Sequence, residues 1–266
     1  GRSEDDGGIE QSSPVHGLPD QVYYRVNDQG TRSFLSSCRA ASVKNVVYTS
    51  STGVVWTGTD ISGATEDQLS IPKQGYDAYH HTKAIAERLV LDQNGKDGMH
   101  VVVLRPCGMT GERDKQMIWR MAQAFENGQH NVQIGDNTNP VDYAYAGNVA
   151  YAHVLAGEQL LSNPDQVAGE TFFVTNGQPM PQWDFHRLVF KKVWGPRFEE
   201  DYVDLTRLLV KFVTGVQWYN IDKARKLLNY DPPVSLEEGV KRTVSWWKQS
   251  GAAKHKARKA DSKKTV

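Results

Sequence analysis

The chain has 266 residues, 39% of them hydrophobic, enough to bury the core of one large domain or two small ones. Its 31 lysines and arginines balance 31 aspartates and glutamates, which argues against a nucleic-acid binder whose affinity comes from neutralising phosphates. Cys38 and Cys107 cannot form a disulfide framework and lack metal-ligand spacing, so the simplest expectation is a reducing compartment and no metal.

The polar opening "GRSEDDGGIEQ" lacks the basic-then-apolar order of a secretory signal. Next, "PDQVYYRVNDQGTRSFLSSCRAA" spaces apolar residues at helical period, and "SVKNVVYTSS" reads as a buried strand closing in small hydroxyl residues. A polar, glycine-bearing loop leads to "DAYHHTKAIAERLVLDQ", an amphipathic helix, and then to "MHVVVLRPCGMTG", a second apolar strand ending in a glycine loop. Helix, strand, helix, strand, with the strands apolar throughout, predicts an α/β fold whose parallel sheet is covered on both faces.

Beyond residue 112 the pattern is mixed. "KQMIWRMAQAFENGQ" and "NVAYAHVLAGEQLL" read as helices, and "NVQIG", "VDYAYAG" and "ETFFVTNG" as short strands. Further helices follow at "PQWDFHRLVFKKVW", "NIDKARKLLNY" and "SLEEGVKRTVSWWKQ", the last opening on a capping-box pattern, Ser235 and Glu238. No apolar run reaches membrane-spanning length. The nearest, "LTRLLVKFVTGV", reads as a packed helix, with a segment lying on a membrane or covering a pocket as the alternatives. The end, "KQSGAAKHKARKADSKKTV", is basic and poor in apolar residues, so it is expected to be disordered and solvated. Weak association with an anionic membrane surface is the sharper alternative.

Open parallel sheets bind ligands outside the carboxyl ends of their strands. Ser50 and Ser51 stand at such an end, and Tyr79 and Lys83 share one face of the following helix. A hydroxyl, a phenol and a cation brought together suit removal of a proton from an alcohol. A free phenol titrates near about 10, and an adjacent ammonium favours the phenolate. Ser51 would bond the substrate oxygen, and Tyr79 would take its proton as hydride leaves the same carbon for a nicotinamide. The spacing alone decides nothing, because Tyr219 and Lys223 in "YNIDK" repeat it. That second match lacks a serine-ended strand before it and reads as chance, with Lys223 a solvated helix residue.

The motifs "SSPVHG", "YYRVNDQGT", "VKNVVYTSS", "YHHTKAIAERLVL", "VVLRPCGMTGERD", "VQIGDNTNPVDYAYAGNVAYAHVLA", "GETFFVTNGQPMPQWDF" and "SLEEGVKRTVSWW" occur in this order between about residues 13 and 250. In them the chain resembles the extended short-chain dehydrogenases, and within these the 3β-hydroxysteroid dehydrogenase family, in the branch acting on 4α-carboxysterols. The resemblance implies a Rossmann-like sheet and an NAD cofactor, with NADP open. It implies Tyr79 as catalytic base, Lys83 as its partner that also bonds the nicotinamide ribose, and Ser51 as the substrate-orienting hydroxyl. Pro106 would flank the nicotinamide, Ser50 would stand beside the cofactor, and Asn27 would lie on the helix beneath the site. The substrate would be a sterol or steroid, oxidised at C3 to a β-keto acid that loses carbon dioxide. Other alcohols or nucleotide sugars, and a binding role without turnover, are the competing readings.

The family's opening strand and G-x-x-G-x-x-G loop have no counterpart in these 266 residues, and the longer apolar stretch usual before "FVTGVQWYN" is abbreviated. The expected organisation is therefore a partial NAD(P)-binding unit at 1–112 carrying the catalytic residues. A substrate-binding region interleaved with the core follows at 113–250, then a basic tail at 251–266. The family's habits, with Lys263 and Lys264 placed like a dilysine retrieval signal, imply peripheral attachment to the endoplasmic reticulum or lipid droplets, the cytoplasm otherwise, and a homodimer.

Overall fold

The computed structural model describes residues 7–10, 14, 17–114, 116–129, 132–195, 203–204 and 214–250, with backbone alone at 7–10, 132 and 203–204. The basic tail, with Lys263 and Lys264, and most of "LTRLLVKFVTGV" lie outside these residues.

Four parallel strands form the central sheet: β1 (Gly7–Glu10), β2 (Asn45–Thr49), β4 (His100–Pro106) and β9 (Thr171–Val174), hydrogen-bonded in that order. β3 is Ile61–Ala64, and β5 to β8 are Gly108–Thr110, Val132–Gln133, Pro140–Val141 and Tyr143–Tyr145. The apolar character of β2 and β4 follows from burial on both sides. Val46, Tyr48, Val101 and Val103 face one layer with Leu35, Ala86 and Val90. Their chain neighbours Val47, Val102 and Leu104 face the other, with Ala152, Ala156 and Leu160.

The first layer consists of α1 (Asp20–Tyr23), a π-helical turn at Tyr24–Gln29, α2 (Gly30–Ala40) and α3 (Ala78–Leu91). The single predicted helix thus carries an internal π-turn, a widening often found at functional sites. Asp77 caps α3: its Oδ1 accepts from the His80 backbone N–H at 2.9 Å and from His80 Nδ1 at 2.7 Å. The second layer is α5 (Ala146–Ser162), packed on β2 and β4.

A second core joins α4 (Met117–Glu126), α6 (Gln182–Trp194) and a C-terminal helix, Leu236–Gln249. That helix is capped as expected, Ser235 Oγ accepting from Glu238 N–H at 3.2 Å, while the Glu238 side chain turns to Lys241 and Arg242. Asn148 and Asn176 clamp the approach to this helix, both donating to the Val234 carbonyl at 2.7 and 2.8 Å. No helix among the described residues is long and apolar enough to cross a membrane.

The outer side of β9 is closed by side chains. Glu66 accepts from Phe173 N–H at 2.6 Å, and Lys223 donates to the Thr171 carbonyl at 2.9 Å. Lys223 also pairs with Glu170 at 2.6 Å, so it is bound to the sheet rather than solvated as the sequence suggested.

Candidate active site

The strand-to-helix link after β2 and the first turns of α3 build the site together. Ser51 has an extended backbone, and its Oγ accepts from Gly53 N–H at 3.1 Å, capping a short 3-10 turn at Thr52–Val55. The Ser51 O–H keeps its proton for donation, with no acceptor for it among the described residues. A Cβ on Gly53 would stand 2.4 Å from His80 Cδ2 and 3.3 Å from Ser51 Oγ. Only glycine therefore lets the serine loop lie this close to the first turn of α3.

Tyr79 is half-buried in that turn, its ring edge-on to Tyr23 at 6.0 Å and to His80 at 5.3 Å. Trp56 and Tyr76 extend this aromatic wall, 4.4 Å apart, with Tyr76 standing 52% exposed at its outer end. One turn beyond Tyr79, Lys83 is buried. Its ammonium donates to the Thr49 carbonyl at 2.8 Å and the Tyr48 hydroxyl at 3.4 Å. Lys83 is thereby fixed at the carboxyl end of β2, where ligands of open α/β sheets bind.

Thr49 is itself held from the opposite layer. His153 Nδ1 donates to the Val149 carbonyl, so Nε2 accepts from the Thr49 hydroxyl, both at 2.7 Å. Burial pushes the His153 pKa down, in keeping with a neutral ring.

Asn27 lies in the π-turn beneath α3, its Nδ2 donating to Thr82 Oγ1 at 3.0 Å, and the Thr82 hydroxyl donates back to the Ala78 carbonyl at 2.8 Å. Asn27 thus supports the helix turn that carries Tyr79. Pro106 is buried at the end of β4, opposite Val174 in the sheet. Ser50 is placed differently from its neighbour: its hydroxyl turns inward and donates to Glu87, which commits that side chain to the fold. Ser51, Tyr79 and Lys83 thus gather at one sheet end, with Asn27 and Ser50 in supporting positions behind them.

Tyr219 and Lys223 do not form an equivalent pair. Tyr219 closes the strand Gln217–Tyr219, whereas Lys223 lies in the next helix, Asp222–Leu228, so no helical face carries both. The Tyr219 phenol is buried, bonded to Thr52 and pushed well above its ordinary range by burial.

Three further polar residues escaped the sequence reading. Glu87 and Arg105 form a buried ion pair, with Arg105 Nη2 to Glu87 Oε1 at 2.5 Å. A signal existed, since an arginine inside the run "VVVLRP" must find a partner. The third is Asp142, which accepts from Tyr219 N–H at 2.9 Å while its Oδ1 is buried with no partner among the described residues. Burial raises its pKa to about 6 from 3.8, against the smaller pull of the Tyr219 N–H and the Thr175 hydroxyl. A raised carboxyl pKa means that folding disfavours the charge. The penalty is absent below the unfolded value, grows as pH rises through about 6, and reaches on the order of 3 kcal/mol at neutral pH. Asp142→Asn keeps an acceptor for Tyr219. It should stabilise the chain increasingly between pH 4 and pH 7, as read from urea unfolding of both proteins across that range. An offset independent of pH would show that the carboxyl does not carry this cost.

With this geometry in view, comparison with known proteins is specific. A Saccharomyces cerevisiae sterol-4-alpha-carboxylate 3-dehydrogenase, decarboxylating, is 40% identical over 88% of this chain and 74% of its own length. The Candida albicans protein of the same name is 36% identical over 90% of this chain and 75% of its own. Among solved structures, an epimerase from Methanothermobacter thermautotrophicus superposes with a TM-score of 0.76 at 20% identity, covering 95% of this chain and 75% of that one, a likeness of fold. The profile of the 3-beta hydroxysteroid dehydrogenase/isomerase family matches residues 9–202, a span that holds Ser51, Tyr79 and Lys83 beside one Rossmann-like sheet, and the chain belongs to that family of oxidoreductases.

Proposed function

We propose that this chain oxidises the 3β-hydroxyl of a sterol bearing a 4α-carboxylate, using NAD or NADP, and that decarboxylation follows. The observation that carries the reading is the placement of Tyr79 and Lys83 on one face of α3, at the carboxyl end of β2 and against the Ser51 loop. Relatives at 36 and 40% identity that bear the corresponding enzyme name supply the substrate class.

The residues present fit the nicotinamide-ribose end of such a cofactor. Lys83 would bond the ribose, Tyr79 would stand beside it, and Pro106 would flank the ring. The nicotinamide, when bound, supplies the hydride acceptor. Ser51 donates its hydroxyl proton to the C3 oxygen and orients the carbinol. The Lys83 ammonium favours the Tyr79 phenolate, which takes the C3 hydroxyl proton. Tyr76, exposed at the outer end of the aromatic wall and backed by the buried Trp56, offers apolar ring surface to a sterol. The product is a β-keto acid, and the electrons of its C4–carboxyl bond pass to the C3 carbonyl as carbon dioxide departs.

A membrane-borne sterol suits a peripheral enzyme, which we place at the endoplasmic reticulum surface or on lipid droplets, as a homodimer. The direct test incubates the 266-residue chain with a 4α-carboxy-3β-hydroxysterol and each dinucleotide. Reduced nicotinamide and a 3-ketosterol one carbon shorter should appear in equal amounts. Cofactor binding by calorimetry without either product would overturn the assignment.

A further inference from the structure

One buried carboxylate joins three segments of the site. Glu87 is fully buried on α3, one turn beyond Lys83. It accepts from Arg105 through Nη2 at 2.5 Å and Nε at 3.1 and 3.2 Å, and it also accepts the Ser50 hydroxyl. Arg105 immediately precedes Pro106, Ser50 immediately precedes Ser51, and Lys83 shares the helix face with Glu87. Tyr79, Lys83 and Glu87 thus make one stripe at spacing four, running from the solvent-facing end of the site into the interior.

The stripe sets an electrostatic problem. An ammonium and a carboxylate four residues apart on a helix are natural partners, and burial strengthens their attraction. Direct pairing would draw the Lys83 charge down the helix, away from Tyr79. Instead the two side chains hold consecutive residues of the strand end: Lys83 takes the Thr49 carbonyl, and Glu87 takes the Ser50 hydroxyl. Arg105 accounts for the separation, because its planar fork meets both carboxylate oxygens of Glu87 in a geometry a point-like ammonium cannot match.

We propose that Arg105 and Glu87 are positioning residues, with Arg105 occupying Glu87 so that the Lys83 charge stays beside Tyr79. For its consequence on turnover this rests on the proposed dehydrogenase activity; for the state of Tyr79 it does not. Titratable groups around Tyr79 include Tyr23 and His80 against its ring, Asp77 bonded to His80, and Lys83 one turn along the helix with Tyr48 beneath it. None of these is altered in the variants below, and the double variant separates a moved Lys83 charge from the loss of Arg105 itself.

The test labels tyrosine at the phenolic carbon in the full chain and follows the Tyr79 resonance, identified by its loss in Tyr79→Phe, as pH is raised. Arg105→Met should move the Tyr79 titration up by about one pH unit, because the released Glu87 recruits Lys83. Glu87→Gln, which leaves the guanidinium without its anion, should not raise it. The double variant Arg105→Met/Glu87→Met should return the titration close to wild type, since a buried pair can be replaced by apolar groups at little cost while one orphaned partner cannot. In turnover, Arg105→Met should lower kcat about tenfold with KM within about twofold, and the double variant should recover most of it. If Arg105→Met does not fold, Arg105→Lys carries the same test, with a smaller upward shift expected.

A folded single variant whose Tyr79 titrates as in wild type, or a double variant as displaced as the single, would overturn the proposal. A pair serving stability alone would move the unfolding midpoint and leave that titration in place. Variants that show these shifts in a chain whose wild type does not turn over sterol would remove the proposed activity and keep the positioning role.

Discussion

Tyr79→Phe is expected to lower sterol oxidation by about a thousandfold while leaving the unfolding midpoint nearly unchanged. The substitution deletes one oxygen. The ring keeps its edge contacts with Tyr23 and His80, and α3 keeps its Asp77 cap and its Thr82 link to Asn27. What disappears is the group to which the proposed mechanism assigns the C3 hydroxyl proton, so the loss should fall on kcat. Binding of the dinucleotide, which would use Lys83, should change much less. Tyr219→Phe is the internal control, because it removes a buried phenol bonded to Thr52, away from the turn of α3 that carries Tyr79. That change should cost about 1 kcal/mol of stability and little turnover. Steady-state kinetics and chemical unfolding of the two variants side by side decide the matter. Comparable turnover losses would mean that the wrong tyrosine carries the chemistry.

Gly75→Ala should do nearly as much damage from outside the site. A Cβ at Gly75 would lie 2.3 Å from the backbone nitrogen of His81 and 2.5 Å from its Cα. Backbone cannot rotate aside as a side chain can, so either the loop or the first turn of α3 must move. That turn carries Tyr79. The expected result is a loss of about 3 kcal/mol in unfolding free energy and a fall in turnover of about a hundredfold in the protein that remains folded. Gly17→Ala gives the comparison, since its left-handed φ of 92° strains a side chain but nothing lies within 4 Å. A Gly75→Ala protein of normal stability and activity would show that the approach of loop to helix is looser than drawn.

The elements that sequence made legible are those whose physics is local. The valine runs of β2 and β4 have a single use, as strands buried on both faces, and Asp77 and Ser235 announce the helices they cap. β1 was invisible, because "GGIE" has almost no strand character of its own and is held in place by its register with β2. The π-turn at Tyr24–Gln29 likewise has no local signature, since the periodicity around it remains helical.

Within the site, Ser51, Tyr79 and Lys83 were readable as a spacing plus a strand end. The decoy at Tyr219 and Lys223 shows what spacing omits: the chain turns between the two residues, at Asn220 and Ile221. Arg105 was visible as a charge in an apolar run, but its partner Glu87 lies 18 residues earlier on a different element. Only the packing of α3 on β4 brings them together.

The closed flank of β9 bears on the company this molecule keeps. A strand arriving there from another chain would need the Phe173 amide and the Thr171 carbonyl, and both are already taken by the Glu66 and Lys223 side chains, anchored elsewhere in the fold. Displacing them would strand the buried Glu66 carboxyl and the Lys223 ammonium without replacement partners. Exposed strand borders recruit fibrillar neighbours. Here Glu66 and Lys223 act as gatekeepers against such templating, and their loss should surface first as clumping during expression or storage rather than as impaired chemistry.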